Sequence, residues 1–368
     1  MPRTQEGSAP GHFGRAQAWA ALLLLLFCVQ VLWLILRTPL SESELAYTQV
    51  SSAGAGLLTP AGNSPATALM ARAGALASPA PWACRFPFLL VGALLGASIW
   101  YVARRLYGNA GGFIALTLYA FSPSLILRSA RVQPEIAAAW SIFGSVFTAI
   151  AVAHTLYAPR RALWWNWRRI ALLGLAMGVG AAAQFWSVIA VIFGLGFMLY
   201  LAPGRRRAVL AIVAVAVGAG TASFLAICGF HPAALLAAAL DSGDVTLRLL
   251  ASASVWRAVG ALLLRNSPGF VLLLGLGVLT LAAWPRARGF GNLAPFTVAA
   301  GLILLGLLFP HAGGFTFLVS ALPFLFVFAG GIWADLLETR QAALTLGVVL
   351  AALVVHAYFS LSGLFRHT

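Results

Sequence analysis

The sequence predicts an all-α, polytopic integral membrane protein. Of its 368 residues, 61% are hydrophobic and only 8% are charged, and the mean hydropathy is +0.94. Soluble domains do not reach this composition. Apolar runs long enough to cross a bilayer recur along the whole chain, and arginines separate them. These observations exclude the water-soluble classes and predict a single transmembrane domain over residues 1–368.

The apolar runs predict about 11 transmembrane helices. Their approximate ranges are 18–36, 86–103, 110–127, 135–157, 170–184, 186–202, 208–229, 268–284, 292–309, 314–333 and 342–363. The stretch 170–201 is too long for one ordinary span and carries the polar Gln184 at its middle, so it predicts two short helices that meet at a tight turn. One strongly tilted helix is the alternative, and it would reverse every later span.

The arginines predict the orientation of these helices. With 11 spans and a cytoplasmic N-terminus, the dense clusters at 104–105, 205–207 and 286–288 all fall on the cytoplasmic face, as the positive-inside rule requires. The first run, 18–36, has no cleavage site after it and predicts a retained signal anchor. These features predict an integral membrane protein with a cytoplasmic N-terminus.

Two predicted outer loops are longer than simple connections. Residues 37–85 and 230–267 contain moderately apolar stretches, 65–77 and 245–264, bounded by Pro, Gly and Ser. Such stretches are typical of helices that lie in the membrane interface. We expect the two loops to form a lid or cover over an outward-facing cavity.

Glu44 and Glu135 are the candidate catalytic residues. Both lie beside predicted spans on the outer face, where a carboxylate can remove a proton from a substrate at the membrane surface. A solvated loop acid is the alternative for Glu44. For Glu135, at the first turn of a helix, stabilisation of the helix N-terminus is the alternative.

Cationic and histidine side chains supply the candidate binding groups. Arg128 and Arg131 precede Glu135 and are predicted either to pair with it or to hold an anionic phosphate, although anchoring in the interface would also explain them. His231 and His311 begin further outer loops, and together with the glutamates they are candidate ligands for a divalent cation. Their spacing in the sequence matches no preformed metal motif. The net charge of +15 comes from arginines beside apolar helices, which predicts anionic lipids as partners and no nucleic acid.

The order of these features resembles the GT-C superfamily of membrane glycosyltransferases, in particular the bacterial dolichyl-phosphate-mannose-protein mannosyltransferase-like group. The first outer loop of that group has an acidic pair followed by a tyrosine, which 43–47 resembles through Glu44 and Tyr47. The remaining similar segments are 105–112, 120–123, 128–135, 174–184 and 320–323. They cover most of the chain, and each motif is short.

The resemblance implies an inverting transfer of a sugar from a polyprenyl-phosphate donor to an acceptor at the outer, periplasmic face of a bacterial inner membrane. It also implies an outer-loop acid as the base and cations at the carrier phosphate. Three positions depart from the family pattern. Ser43 stands where the family has an aspartate, Gln184 where a substrate-binding lysine is usual, and 316–317 where an arginine-tyrosine pair is usual. These departures keep a second hypothesis open, a non-catalytic GT-C-like subunit of a larger membrane complex. A transporter is a third, suggested by Gln184 and His154 within spans.

Overall fold

The computed structural model describes residues 14–45, 47, 64–78, 80–157, 162–230, 253, 256–257, 260, 267–308 and 312–366. Within these ranges the chain forms helices, and no strand is found. We number the helices α1 (Arg15–Arg37), α2 (Pro65–Ala77), α3 (Phe86–Ala120), α4 (Pro123–Ser129), α5 (Glu135–Thr155), α6 (Ala162–Ala183), α7 (Ile189–Leu201), α8 (Arg206–Ile227), α9 (Pro268–Ala283), α10 (Phe290–Leu308), α11 (Ala312–Leu337) and α12 (Ala342–Arg366). The prediction of an all-α polytopic fold is confirmed.

Local sequence explains where two of these helices begin. The Ser64 hydroxyl accepts a hydrogen bond from the backbone N–H of Thr67, and Ser267 does the same for Phe270. Each serine is followed by a proline, whose fixed φ suits the first helical position and whose missing N–H is not needed there. The helix predicted over 65–77 is therefore present as α2, whereas the one predicted over 245–264 lies outside the continuously described residues.

The helix α3 contains a reversal of the chain at Gly108. This residue has φ +72° and ψ −168°, a conformation open essentially to glycine alone. A Cβ added at Gly112 would lie 3.0 Å from Cβ of Arg104, and the Tyr119 hydroxyl donates to the Gly92 carbonyl. The two halves of α3 thus run antiparallel, as the two separate runs in the sequence predict. The second half is shorter than the predicted 110–127, because Pro123 begins a separate helix, α4.

A second reversal occurs at Gln184, which has extended backbone between α6 and a 3₁₀ turn at Phe185–Val188. Asn166 of α6 contacts Thr155, and the Ser141 hydroxyl donates to Ala176 O, so α6 runs antiparallel to α5. Along α7, by contrast, Gly194 lies beside Ala149, so α7 runs with α5. The structure therefore has two oppositely directed helices here, as predicted.

Seven helical segments in the described part of the chain are long and apolar enough to cross a membrane. The segments Phe185–Leu201 and Pro268–Ala283 are apolar but shorter, and α3 counts as one of the seven although it reverses at Gly108. The count of 11 spans remains a prediction.

The centre of the bundle is α11, in which every residue of 316–334 is buried. A helix that is apolar on every side is stable when protein or lipid surrounds it. Here α3, α5 and α10 pack against it, and Phe324 of α11 contacts Phe143 and Phe147 of α5 at ring-centroid distances of 5.1 and 5.7 Å.

The two ends of the bundle differ in their polar contacts. At one end, which we call the acidic end, Glu44, Arg85 and Val132 meet. At the other, which we call the basic end, Tyr107 donates to Gly291 O, and Asn292 donates to Asp335 over 2.8 Å. A helix from Arg85 to Tyr107 rises about 33 Å at 1.5 Å per residue, so the two ends are separated by a bilayer-scale distance.

Candidate functional site

The acidic end contains a buried ion pair between Glu44 and Arg85. Arg85 Nε donates to Glu44 Oε1 over 2.8 Å, and Arg85 Nη2 donates to Oε2 over 2.6 Å. Both side chains are 1% exposed. This two-point geometry uses the planar fork of the guanidinium and fixes the direction of both side chains.

The remaining N–H groups of Arg85 bind the end of α1 and the chain that follows it. Nη1 donates to Thr38 O over 2.7 Å and to Thr38 Oγ1 over 3.1 Å, while Nη2 donates to Pro39 O over 2.8 Å. All five donors of the guanidinium therefore have acceptors. These contacts offset the free-energy cost of burying the Arg85 charge, because every N–H has an acceptor and a carboxylate is paired with the guanidinium.

Glu44 is equally occupied by hydrogen bonds. Besides Arg85, its Oε1 accepts from the backbone N–H of Val132 over 3.0 Å, and its Oε2 accepts from the N–H and the hydroxyl of Ser41 over 2.9 and 3.0 Å. Burial alone would raise the pKa of this carboxyl, but hydrogen bonds from Arg85, Ser41 and Val132 stabilise the carboxylate and bring its pKa below the usual value. The ion pair thus joins α1, the loop that follows it, the start of α3 and the approach to α5.

Glu135 lies three residues beyond Val132, at the first turn of α5. Its Oε1 accepts a hydrogen bond from Arg128 Nη1 over 3.1 Å, and the same Nη1 donates to Gln133 Oε1 over 2.6 Å. Glu135 Oε2 is buried and accepts no hydrogen bond from the residues that the structure describes. One carboxylate oxygen is therefore held while the other is left without a donor.

Tyr47 belongs to the same cluster. Burial raises the pKa of its hydroxyl, and the negative charge of Glu135 raises this pKa further. The structure therefore brings together Glu44, Tyr47, Arg128 and Glu135, which the sequence predicts on one face of the membrane.

The other predicted binding residues have different positions. Arg131 is exposed, and within the described chain it forms no ion pair. Gln184 is half-buried at the end of α6, where Ala182 and Ala183 pack against Ala137. It thus lies near the start of α5, at the acidic end. His231 and His311 lie outside the described residues.

Sequence reasoning missed Arg85, which forms the buried ion pair with Glu44. Two features of the sequence could have found this residue. The predicted topology places Arg85 and Glu44 on the same face, and Arg85 directly precedes an apolar helix. Within the described ranges, no three His, Cys, Asp or Glu side chains cluster as metal ligands. A divalent cation would find one unoccupied carboxylate oxygen here, that of Glu135, and would need ligands from elsewhere.

Neither a comparison with protein-family models nor a comparison with curated proteins gives a match. Solved structures do match. ArnT from Cupriavidus metallidurans, bound to undecaprenyl phosphate, superimposes with a TM-score of 0.63 over 91% of this chain, at 16% sequence identity. This chain has the GT-C fold. The GT-C oligosaccharyltransferase AglB from Archaeoglobus fulgidus, in complex with an inhibitory peptide and a dolichol-phosphate, superimposes with a TM-score of 0.64 over 94% of this chain, at 12% identity.

The match covers only part of these two proteins. The chain spans 63% of the ArnT chain and 56% of the AglB chain. The shared fold confirms the resemblance to GT-C proteins and the membrane-embedded, helical architecture. The mannosyltransferase-like subgroup remains a prediction.

Proposed function

We propose that this protein transfers a sugar from a polyprenyl-phosphate donor to an acceptor at the outer face of a bacterial inner membrane. The observation that carries the proposal is the partly unoccupied carboxylate of Glu135 beside Arg128 and Tyr47, at one end of a GT-C bundle. The fold is shared with structures that contain undecaprenyl phosphate or dolichol-phosphate. The acidic end combines a base with cations, the two kinds of group that such a transfer needs.

Glu135 is our candidate for the general base. In the proposed step, Glu135 Oε2 takes the proton of the acceptor while the acceptor atom forms a bond to the anomeric carbon of the sugar. The bond from that carbon to the phosphate oxygen breaks, and the polyprenyl phosphate leaves with the electron pair. Arg128 holds Glu135 Oε1, which leaves Oε2 to accept the proton.

The cations beside Glu135 are our candidates for holding the phosphate. Arg131 is exposed and is not engaged in an ion pair within the described chain. Its guanidinium matches phosphate oxygens in a two-point contact, and it would neutralise the charge that develops on the leaving group. We place Tyr47, Gln184, His231 and His311 around the same cavity as substrate-binding residues, with residues 37–85 and 230–267 as its cover.

Glu44 is better suited to positioning than to proton transfer. A carboxylate has about four lone-pair positions, and Glu44 already accepts hydrogen bonds from Arg85, Val132 and Ser41. Its lowered pKa also makes it a weak base. Because Glu44 binds the N–H of Val132, three residues before Glu135, it fixes the chain that carries the proposed base.

The test is donor conversion by the purified chain, with a polyprenyl-phosphate-linked sugar as donor and release of polyprenyl phosphate as the readout. Loss of a general base typically slows a reaction by about 10²- to 10⁴-fold, and we expect Glu135→Gln to show a loss of this size. The matched control is Glu42→Gln, the same chemical change at an exposed position two residues from Glu44. Each variant is first checked for an unchanged thermal midpoint. Wild-type turnover by a folded Glu135→Gln variant would exclude Glu135 as the base.

A non-catalytic subunit of a membrane complex is the second candidate function. The specific observation in its favour is that the acid of the first outer loop, Glu44, has both oxygens taken up by internal hydrogen bonds. This hypothesis expects no sugar turnover, tolerance of Glu135→Gln, and stable co-purification with a larger assembly. Turnover by the chain alone would exclude it.

A further inference from the structure

An apolar groove lies at the basic end, about 30 Å from the acidic end. It has a volume of about 460 Å³ and lies between α7 and α10. Its lining includes Ile192, Gly196, Tyr200 and Leu293, all of which are exposed on the outside of the bundle. From Ile192 to Tyr200, α7 rises about 12 Å, so the groove is long enough for a segment of an extended hydrocarbon chain.

Contacts between aromatic side chains form the ends of this groove. Tyr200 stacks on Phe290 at a centroid distance of 5.6 Å and an interplanar angle of 10°, and Phe197 meets the edge of the same ring at 5.8 Å. At the other end, Phe193 lies against Gly301, where an added Cβ would come within 2.7 Å of the ring. Between these contacts, no atom lies within 4 Å of the position that a Cβ of Gly196 would occupy. The hollow is therefore bounded by rings and open at a glycine.

Among the described residues that line the groove, Arg288 is the only charged one. Its Nε donates to Leu281 O over 3.1 Å and its Nη2 donates to Ala282 O over 2.6 Å, at the C-terminal end of α9. Both acceptors are neutral carbonyls. The ion pairs found in the described chain are those of Arg85 and Arg128, so no described acid neutralises Arg288. The guanidinium is thus held in place at the mouth of an apolar hollow, with no described carboxylate paired to it.

We propose that this groove binds one anionic glycerophospholipid, with its phosphate at Arg288 and one acyl chain along Gly196 and Phe197. Charge complementarity identifies the headgroup, because a fixed guanidinium favours a phosphate that carries a net negative charge over a zwitterionic one. The apolar walls of the groove are long enough to contact a segment of an acyl chain. The exposed arginines at 205–207 and Arg286 attract anionic lipids to the same end of the bundle. This site is separate from the proposed donor site and does not depend on sugar transfer.

The experiment is native mass spectrometry of the full chain in detergent, titrated with phosphatidylglycerol or with phosphatidylcholine of the same chains. We expect phosphatidylglycerol to bind more tightly than phosphatidylcholine. Arg288→Gln should weaken phosphatidylglycerol binding about fivefold, which is the contribution of one cation beside an anionic lipid. The control is Arg286→Gln, which changes an exposed arginine that does not line the groove and should weaken phosphatidylglycerol binding clearly less than Arg288→Gln does. Equal losses in the two variants would show a diffuse basic surface and overturn the proposal.

A second variant separates binding from folding, since Arg288→Gln also removes two hydrogen bonds to α9. Gly196→Leu leaves Arg288 intact and fills the hollow, and we expect it to lower phosphatidylglycerol binding as well. Unchanged binding in Gly196→Leu would refute the acyl-chain position. Displacement of phosphatidylglycerol by an equal concentration of undecaprenyl phosphate would assign the groove to the carrier instead, and would also overturn the proposal.

Discussion

Breaking the Glu44–Arg85 pair should destabilise the fold strongly, although neither residue lies in the centre of the bundle. Both side chains are 1% exposed, so Glu44→Gln leaves the Arg85 charge buried without its partner. Removing one member of a buried pair costs about 3–5 kcal/mol. The glutamine keeps one oxygen that can still accept from the Val132 N–H, which places the expected loss toward the lower half of this range. At about 2 °C per kcal/mol for a large chain, the thermal midpoint should fall by about 6–8 °C.

A double-mutant cycle tests whether the two residues act as one unit. Arg85→Met alone should cost a similar amount, because it leaves the Glu44 carboxylate without its cation. The double variant Glu44→Gln with Arg85→Met should be more stable than the sum of the single losses predicts, by at least about 2 kcal/mol. The assay is thermal unfolding of purified protein in one detergent, monitored by intrinsic fluorescence. Additive losses would show that Glu44 and Arg85 contribute independently, and would refute the reasoning.

Three further changes test the acid and the helix contacts. In the fold, the pKa of Glu44 is below its ordinary value of 4.5. The ionised Glu44 therefore stabilises the fold fully above pH 4.5, and this stabilisation is lost as the pH falls through the folded pKa. The difference in thermal midpoint between wild type and Glu44→Gln should therefore narrow on acidification. Gly108→Ala should cost about 1–3 kcal/mol, because φ is +72° there. Gly269→Ala should cost a similar amount by overpacking, since its Cβ would lie 2.1 Å from Ala352 O. Gly275→Ala, in the same helix with nothing within 4 Å of its Cβ, should be neutral or stabilise by up to about 1 kcal/mol, and thermal unfolding compares all three glycine variants.

The helices were largely predictable because the length and hydropathy of an apolar run are local properties of the sequence. The predicted runs 135–157, 208–229 and 268–284 correspond to α5, α8 and α9 within a few residues at each end. The reversal at Gln184 was also predictable, since a polar residue interrupts a stretch too long for one span. The separation of α4 from α3 was missed because the apolar character continues across Ser122 and Pro123, and hydropathy does not register the missing N–H of proline.

The candidate site was predictable in its membership but not in its bonding. Topology places Glu44 and Glu135 on one face, and the structure brings both to one end of the bundle. Nothing in the linear sequence pairs Glu44 with Arg85, which lies 41 residues away. That pairing depends on how the chain after α1 folds back to the start of α3, a tertiary arrangement that spacing alone does not specify.

This difference in bonding bears directly on the choice between an enzyme and a non-catalytic subunit. If Glu44 were the required base, its occupied oxygens and lowered pKa would argue against catalysis in this conformation. The same contacts hold the backbone of Val132, and through it they position Glu135, whose Oε2 is buried without a donor from the described residues. A buried carboxylate oxygen without a hydrogen bond is costly, and this cost is understandable if a substrate supplies the missing donor. The acid of the first loop and the acid of α5 then have different tasks, and the substitutions that separate them are Glu44→Gln, which should act mainly on stability, and Glu135→Gln, which should act mainly on turnover.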